Sequence, residues 1–403
     1  MKERIIFHVD VNNAFLSWSA VKRLSEGEKL DIRKIPSVIG GSEKDRHGIV
    51  LAKSPIAKKF GIVTAETLYS ARKKCPNLKV FPPDYKYYYE QSNLMYKYLT
   101  TISPVIERYS VDECFLDLTG TNLIYKDYLE LAYEIKNHIK NKFGFTVNVG
   151  IGNNKLCAKM ASDFEKPDKV HTLYKNEVKE KMWPLPIEDL FMVGRSSSKK
   201  LRELGINKIG DLANSSEASL KKYFKNQTSF LINSANGIDY SEVAPRSSKT
   251  DSISISETLP YDCSDIEKLK EILFRQTDEV SRHLREQGEF AMTVAVTYKN
   301  NYFQSYQHQK KLNGPLNSAT DIYKIVIEIL EESWRNDSIR NIGVRLSDFC
   351  KSRKQQVNIF EEVKEEKEDT VQAIIDNINK KFGGASVMPA SIKKIGKSTR
   401  HKK

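Results

Sequence analysis

Three acidic residues in two separated stretches of the chain have the chemistry of a site for divalent metal. Asp10 lies near the end of a short apolar run from Ile5 to Val11, and Asp112 and Glu113 follow much later in the chain. Carboxylates from two strands form a minimal cage for Mg²⁺, which completes its octahedron with water and substrate phosphates. If the two stretches meet in the fold, the protein handles phosphates with metal; the alternative is that the three acids are simply solvated.

Local sequence patterns predict the elements that must position these acids. Residues 4 to 11 are typical of a buried strand, a helix begins just after Asn13 and carries Phe15, and residues 105 to 118 indicate a hairpin. Because successive side chains of a regular strand point to opposite faces, Asp112 and Glu113 can serve one site only if the backbone turns or bulges there.

The length and charge of the chain indicate several domains and a polyanionic partner. Single cores stop growing near ~250 to 300 residues, so a chain of 403 residues should hold two or more domains. The net charge of +13 and the isoelectric point near 9.2 favour nucleic acid as the partner. A merely basic soluble protein is the alternative.

Cysteine spacing and hydropathy argue against several classes of protein. The five cysteines form no C-x-x-C pair and have no histidine at ligand spacing, which indicates neither a zinc site nor a disulfide framework. No basic-then-apolar leader is present, and no run of roughly eighteen apolar residues occurs, so neither secretion nor membrane insertion is expected. We therefore predict a cytoplasmic protein without a membrane partner.

The first half of the chain divides by composition. Residues 1 to 173 alternate strands and helices, which predicts one α/β layer pair. Within them, residues 37 to 83 are shorter and more mixed elements, typical of a small inserted module. Residues 174 to 240 are helical and basic, and their Gly turns suit contact with a DNA backbone, with ordinary helix packing as the alternative. Residues 241 to 251 indicate a linker.

The next stretch has the clearest periodicity. It predicts strands over 253–259, 290–298, 302–310 and 340–349, with one helix opened by the capping box Ser264-x-x-Glu267 and another over 319–335. The order βαββαβ is the split ferredoxin-like motif. Basic residues on its strands either line a DNA groove or form a solvated face; they are Lys299, Lys310, Lys311, Arg340 and Arg345.

The chain becomes highly charged after Cys350, which predicts a flexible tail. The apolar segment from Gln356 to Phe360 interrupts it, and exposed apolar anchors in such a tail are typical of a docking peptide.

Taken in order, these motifs resemble the Y-family translesion DNA polymerases, the bacterial polymerase IV and polymerase V group. The resemblance covers residues 4 to 350 and does not distinguish the two branches. The matching stretches are Phe7 to Asp10 with Phe15, Ala57 to Gly61, Tyr109 to Glu113 with Phe115 to Asp117, Val149 to Lys155 with Ala158 and Lys159, Lys166-Pro167, and Ile342 to Arg345.

This resemblance implies an error-prone, template-directed DNA polymerase that adds deoxynucleotides to a primer 3′ end and bypasses damaged template bases. It also implies an α+β multidomain fold, a right-hand polymerase with a ferredoxin-like palm, small fingers, a helical thumb and a βαββαβ little finger. The implied ranges are palm 1–18 and 84–173, fingers 19–83, thumb 174–241, linker 242–251, little finger 252–350, and a tail over 351–403 with a clamp-binding peptide.

The resemblance also assigns roles to the acids. Asp10, Asp112 and Glu113 would hold two Mg²⁺ ions, with Mn²⁺ as a possible substitute and the Val11 carbonyl as a further ligand. One ion would activate the primer 3′ hydroxyl, and the other would neutralise the triphosphate and the leaving pyrophosphate.

Further roles concern the nucleotide. Phe15 aligns with the aromatic steric gate against a 2′ hydroxyl, the alternative being a core phenylalanine, and Lys166 aligns with a lysine that contacts the triphosphate. Lys58 aligns with an arginine, whose bidentate fork a lysine lacks. Pro55 stands where many members have a tyrosine that hydrogen-bonds the triphosphate.

The partners implied are primer-template DNA, deoxynucleoside triphosphates and the replication sliding clamp, with a monomeric chain. Gln356, Ile359 and Phe360 are the predicted clamp contacts. In the thumb, the stretch Val193-Gly194-Arg195 replaces the more usual Pro-Gly-Ile-Gly hairpin.

Two other functions compete with synthesis. A DNA-binding accessory factor with a degenerate palm would need no catalysis, but the chain retains all three acids. A nucleotide cyclase would use a similar two-metal layout, but would leave the basic thumb and little finger without a purpose.

Overall fold

Three β-sheets organise the part of the chain that the structure, a computed structural model, describes. The described residues are 4–43, 46, 48–245, 250–351, 374, 378, 381 and 387. They fall into two compact units, Met1–Glu43 with Gly48–Ser247, and Lys44–His47 with Ser248–Lys403. No helix within these ranges is long and apolar enough to cross a membrane.

The first unit contains a five-stranded and a three-stranded sheet. Its strands are β1 (Ile6–Val11), β2 (Ser37–Gly40), β3 (Val50–Lys53), β4 (Lys79–Phe81), β5 (Val105–Arg108), β6 (Glu113–Asp117), β7 (Val147–Gly152) and β8 (Val170–Leu173). Its helices are α1 (Ala14–Ser25), α2 (Pro55–Lys59), α3 (Leu68–Lys74), α4 (Tyr85–Leu99), α5 (Tyr128–His138), α6 (Lys155–Asp163), α7 (Arg195–Glu203), α8 (Ile209–Ala213), α9 (Glu217–Phe224) and α10 (Thr228–Ala235).

Strand β1 is the centre of the five-stranded sheet, whose order is β5-β6-β1-β7-β8. Every residue of β1 is buried, because helices cover both faces. Its odd-numbered side chains, such as Phe7 and Val9, pack in one core with α1, α4 and α5. On the opposite face His8 bonds Ser162 of α6. This two-sided cover explains the continuous apolar run that predicted a buried strand.

Helix α6 lies unusually close to β7, and two glycines make this possible. A Cβ atom on Gly150 would lie 2.0 Å from the Ala158 carbonyl oxygen, and one on Gly152 would lie 2.6 Å from the Ala158 nitrogen. The side chain of Asn154 caps the helix by accepting from the Cys157 N–H at 2.8 Å. The Gly-x-Gly-x-Asn sequence therefore brings α6 into contact with the central strands.

The three-stranded sheet has the order β3-β2-β4 and forms the small module between α1 and α4. Ser54 follows β3 and caps α2 by accepting from the Ala57 N–H. Pro55 occupies the first turn of α2, where a missing N–H costs nothing.

Helices α7 to α10 share a core with α6, since Leu156 and Met160 of α6 are buried together with Leu201 and Leu231. The domain ranges given above for palm, fingers and thumb remain predictions.

The second unit has the predicted order βαββαβ. Its elements are β9 (Ser252–Cys263), α11 (Ile266–Glu286), β10 (Phe290–Asn300), β11 (Ser305–Leu316), α12 (Ala319–Ser333) and β12 (Ile339–Cys350), and its sheet order is β11-β10-β12-β9. Apolar residues of both helices and of the sheet form one core, including Leu273 and Val326.

Two local predictions in this unit were wrong. The cap of α11 is Asp265, not Ser264, because the Asp265 carboxylate accepts from the Glu267 and Lys268 N–H groups. Strand β11 begins at Ser305, not at residue 302, because the Asn300 side chain accepts from the N–H groups of Tyr302 and Gln304. That pair of bonds holds the intervening residues in a turn.

A substitution that adds a side chain between α6 and β7 tests how closely these two elements pack. Gly150→Ala should lower the free energy of unfolding by about 3 kcal/mol or more, because the added methyl meets backbone that cannot rotate away. Urea denaturation followed by circular dichroism measures the effect. Gly194→Ala is the control, since no atom lies within 4 Å of its added Cβ. Equal stability of both variants would contradict the close packing.

Candidate active site

Asp10 and Glu113 lie directly opposite each other on the neighbouring strands β1 and β6. Directly opposed residues of an antiparallel pair point to the same face of the sheet. Asp10 is only 6% exposed. The sheet register therefore brings two of the three predicted acids together on the face covered by α6.

The bend predicted at Asp112 is present. The N–H groups of Tyr109 and Ser110 both donate to the Glu113 carbonyl, at 3.0 and 3.2 Å, and the Val11 N–H donates to the Asp112 carbonyl at 3.1 Å. Asp112 thus lies in the turn just before β6, and its carboxylate accepts from the Ser110 hydroxyl at 2.6 Å. Because of this bend, the Asp112 side chain need not point to the face opposite that of Glu113, as it would in a regular strand.

Two lysines from the α6 region bind the acids. Lys159 of α6 lies 2.6 Å from a Glu113 oxygen. Lys166, in the loop after α6, lies 2.5 Å from an Asp10 oxygen and 2.8 Å from Asp163. Lys166 was predicted as a site residue, and Lys159 was matched only as part of a motif.

Two buried asparagines, which the sequence analysis missed, hold the loop that carries Lys166. Asn148 lies opposite Asp10 on β7 and donates to the carbonyls of Ser162 and Glu165 at 2.9 and 2.7 Å. Asn12 donates to Asn148 at 3.1 Å and accepts from the Asp168 N–H at 2.9 Å. Asn148 could have been identified from the sequence, because it is a polar residue within an otherwise apolar strand.

Burial controls the charge of Asp10. It raises the pKa of Asp10 to about 6 against the lowering effect of Lys166, and the nearby carboxylates of Glu113 and Asp163 add to the rise. For Lys166, burial lowers the pKa, but attraction to Asp10 and Asp163 outweighs it, so the pKa is raised. The Asp10 carboxylate therefore needs positive charge close by.

The acids suit a hard divalent cation. No group of three or more acidic, His or Cys side chains within the described ranges stands arranged around a metal position, and the lysine ammonium groups bind the carboxylates. The donor set is all oxygen, as Mg²⁺ prefers, and burial of Asp10 rewards a nearby cation. Asp10, Asp112 and Glu113, with the Val11 carbonyl, would hold it.

Phe15 lies on the wall of a cavity of about 190 Å³ that Asp112 also lines. Its ring stacks on Tyr88 with centroids 4.8 Å apart and an interplanar angle of 9°. Tyr85 meets it edge-on at 6.2 Å. The stack fixes the Phe15 ring while its other side borders the cavity, so Phe15 is neither wholly core nor wholly exposed.

Lys53 at the end of β3, rather than Lys58 in α2, lines this cavity. Lys58 is exposed in the last turn of α2, and Pro55 is exposed in its first turn. Lys53 ends β3 and donates to the Thr64 hydroxyl at 3.2 Å. Lys53 was not among the predicted site residues.

The other predicted contacts lie elsewhere. Gly194 is the N-cap of α7 and Arg195 is its first residue. Gln356, Ile359 and Phe360 lie outside the described residues.

Comparison with known proteins covers most of the chain. The model of the impB/mucB/samB family matches residues 9–163, the model of that family's C-terminal domain matches residues 250–359, and an IMS family HHH motif matches residues 175–206.

Curated relatives match over nearly their full length. The chain is 46% identical to a DNA polymerase IV from Clostridium acetobutylicum, over 96% of this chain and 97% of the relative. It is 35% identical to a DNA polymerase IV from Clostridium kluyveri, over 98% and 100%. DNA polymerase IV 2 from Bacillus subtilis is 33% identical over 97% and 95%.

A solved Y-family DNA polymerase chimera has a similar fold. The TM-score is 0.73 at 23% identity, and the match covers 85% of this chain and 98% of the chimera.

The raised pKa of Asp10 predicts a pH-dependent stability. The folded value lies above the unfolded one, so the metal-free protein loses stability as pH rises from about 4 to about 6, by roughly 1–3 kcal/mol. Asp10→Asn removes the buried charge and should stabilise the protein at about pH 8 while leaving it unchanged at about pH 4. Chemical denaturation in a chelator measures both.

Asp163→Asn is the control for this prediction, since Asp163 also binds Lys166 but its side chain is 48% exposed. It should change stability little at either pH. Lower stability of Asp10→Asn at the higher pH would show that the ion pair with Lys166 outweighs the cost of burial.

Proposed function

The chain belongs to the impB/mucB/samB family and is a DNA-directed DNA polymerase of the Y-family translesion type, and we propose that Asp10, Asp112 and Glu113 form its catalytic centre. The observation that carries this assignment is the facing register of Asp10 and Glu113, with Asp112 in the bend beside them. Two carboxylates that face each other on adjacent strands, with a third beside them that lines a cavity, match the needs of phosphoryl transfer.

The proposed reaction joins a deoxynucleotide to a primer. The primer 3′ hydroxyl gives its proton to solvent and its oxygen bonds to the α-phosphorus of the nucleotide, while the bond between that phosphorus and the bridging oxygen to the β-phosphate breaks and pyrophosphate leaves. Two Mg²⁺ ions, when bound, would lower the pKa of the 3′ hydroxyl and neutralise the negative charge of the phosphates. The three carboxylates hold this positive charge in place.

The lysines beside the acids supply the next contacts. Lys166 sits between Asp10 and Asp163, so a triphosphate arriving beside Asp10 competes for its ammonium group. Lys159 binds Glu113, so a phosphate arriving beside Glu113 competes for the ammonium group of Lys159. Each lysine therefore neutralises a carboxylate before substrate arrives and is close enough to bind phosphate afterwards.

Phe15 is proposed to select the sugar. Its ring is fixed against Tyr88 and lines the same cavity as Asp112, which supports a position under the sugar of a nucleotide whose phosphates face the acids. A 2′ hydroxyl on a sugar against this ring would collide with it or lose its water without a replacement partner.

The alternative functions have less support. The comparisons favour a polymerase over a non-catalytic accessory factor. Nothing in the site favours a nucleotide cyclase.

The remaining partners are also proposals. Primer-template DNA follows from the polymerase activity. Docking of Gln356, Ile359 and Phe360 to a sliding clamp is supported by the sequence of the tail alone. A monomeric state is supported by the family resemblance, and a cytoplasmic location by the scattered cysteines.

Removal of Asp112 tests the catalytic centre. Primer extension with Mg²⁺ and all four deoxynucleotides should fall by about a thousandfold in Asp112→Ala, because the metal loses a ligand. Glu130→Ala, which removes an exposed acid of α5, should extend like the wild type. Equal extension by wild type and Asp112→Ala would refute the metal assignment, and no extension by the wild type would favour an accessory factor.

The role of Phe15 is tested by sugar selectivity. Phe15→Ala should incorporate ribonucleotides at least about tenfold more readily relative to deoxynucleotides, since the ring no longer excludes the hydroxyl. Competing single-nucleotide insertions measure the ratio. Tyr85→Ala removes an exposed neighbour of Phe15 and should leave the ratio unchanged. Unaltered selectivity in Phe15→Ala would indicate that Phe15 is a core residue with no role in sugar selection.

A further inference from the structure

Among the residues that the structure describes, one cationic side chain lies on the wall of the cavity beside Asp112. Its lining includes Asp112, Ala14 and Phe15 on one side and Ala52, Lys53 and Thr64 on the other. Lys53 is half-buried at the end of β3, where it pairs with Val38 of the central strand β2. Its position is therefore set by the sheet and not by a loose loop.

Lys53 forms no ion pair with the residues that the structure describes. Its ammonium group donates to the Thr64 hydroxyl at 3.2 Å, which is a neutral partner. The carboxylate that acts on it electrostatically is Glu66, but Glu66 binds Lys74 at 2.7 Å. Lys53 thus brings to the cavity a positive charge that no described carboxylate pairs with directly.

The surroundings make this charge costly to maintain without a ligand. Burial lowers the pKa of Lys53, and the positive charge of Lys58 lowers it further. An anion in the cavity would offset both effects, because it would restore a counter-charge to a partly desolvated ammonium. Lys58 lies in the exposed last turn of α2 and does not line the cavity.

We propose that Lys53 binds the triphosphate of the incoming nucleotide, and that Lys58 contributes only long-range positive charge. This inference rests on the proposed function. A lysine is a compact point charge, which suits phosphate oxygens and cannot distinguish bases by a fixed fork of donors. Pro55, two residues after Lys53, has neither a hydroxyl nor an N–H to donate. Lys53, and not Pro55, can therefore donate a hydrogen bond to a phosphate at this end of β3.

The test uses the full chain with primer-template DNA. Lys53→Met keeps the aliphatic stem and removes the charge, and Lys53→Arg restores it. Lys58→Met removes the neighbouring charge in α2, and Lys59→Met removes an exposed charge nearby as the matched control. The measurements are kcat and KM for each of the four deoxynucleotides, and the Kd of a non-hydrolysable deoxynucleotide analogue for the enzyme and DNA complex.

Lys53→Met should raise both KM and Kd by about tenfold, equally for all four nucleotides, since one charge-assisted hydrogen bond is lost. The value of kcat should change by less than about threefold. Lys53→Arg should recover most of the affinity, Lys58→Met should lose less than Lys53→Met, and Lys59→Met should match the wild type.

Wild-type affinity in Lys53→Met, or a larger loss in Lys58→Met, would overturn the proposal. A loss confined to one or two nucleotides would also overturn it, and would indicate a contact with the base. If Lys53→Met lowers the thermal midpoint, Lys53→Gln repeats the comparison. Failure of the wild type to extend a primer would refute the proposed function, whereas the binding measurement still decides the role of Lys53.

Discussion

The buried carboxylate of Asp10 is the constraint on which the site depends. A carboxylate on the central strand of a sheet covered on both faces is costly unless positive charge lies beside it. The fold supplies this charge through Lys166, held by a loop that Asn148 and Asn12 fasten to the sheet. The same requirement makes Asp10 suited to a metal ion, so the feature that costs stability is also the one on which the proposed catalytic centre rests.

The packing of α6 against the sheet also determines the geometry of the acidic centre. Because Gly150 has no side chain, the helix lies against the sheet and Lys159 reaches Glu113. The helix also contributes Leu156 to the core shared with α7 to α10. One element therefore connects the acidic centre to the helices that the family resemblance assigns to the thumb.

The nucleotide side of the site is built differently. Phe15 depends on a stack of aromatic rings contributed by α1 and α4, and Lys53 depends on the end of a short strand in a separate sheet. Neither position needs the buried charges of the acidic centre. Under the proposed function, a change at Phe15 or Lys53 can therefore alter nucleotide binding without removing a contact of Asp10 or Glu113.

By itself, the sequence determined the acids, the bend at Asp112, the buried strand β1 and the βαββαβ order of the second unit. These features depend on residue type and on spacing within one element, which local pattern records. Only the tertiary structure decided that Lys159 and Lys166 bind the acids, that Asn148 fastens their loop, and that Lys53 rather than Lys58 faces the cavity. Such choices depend on which side chains meet across elements far apart in the chain, and on the direction in which each strand or helix end points them.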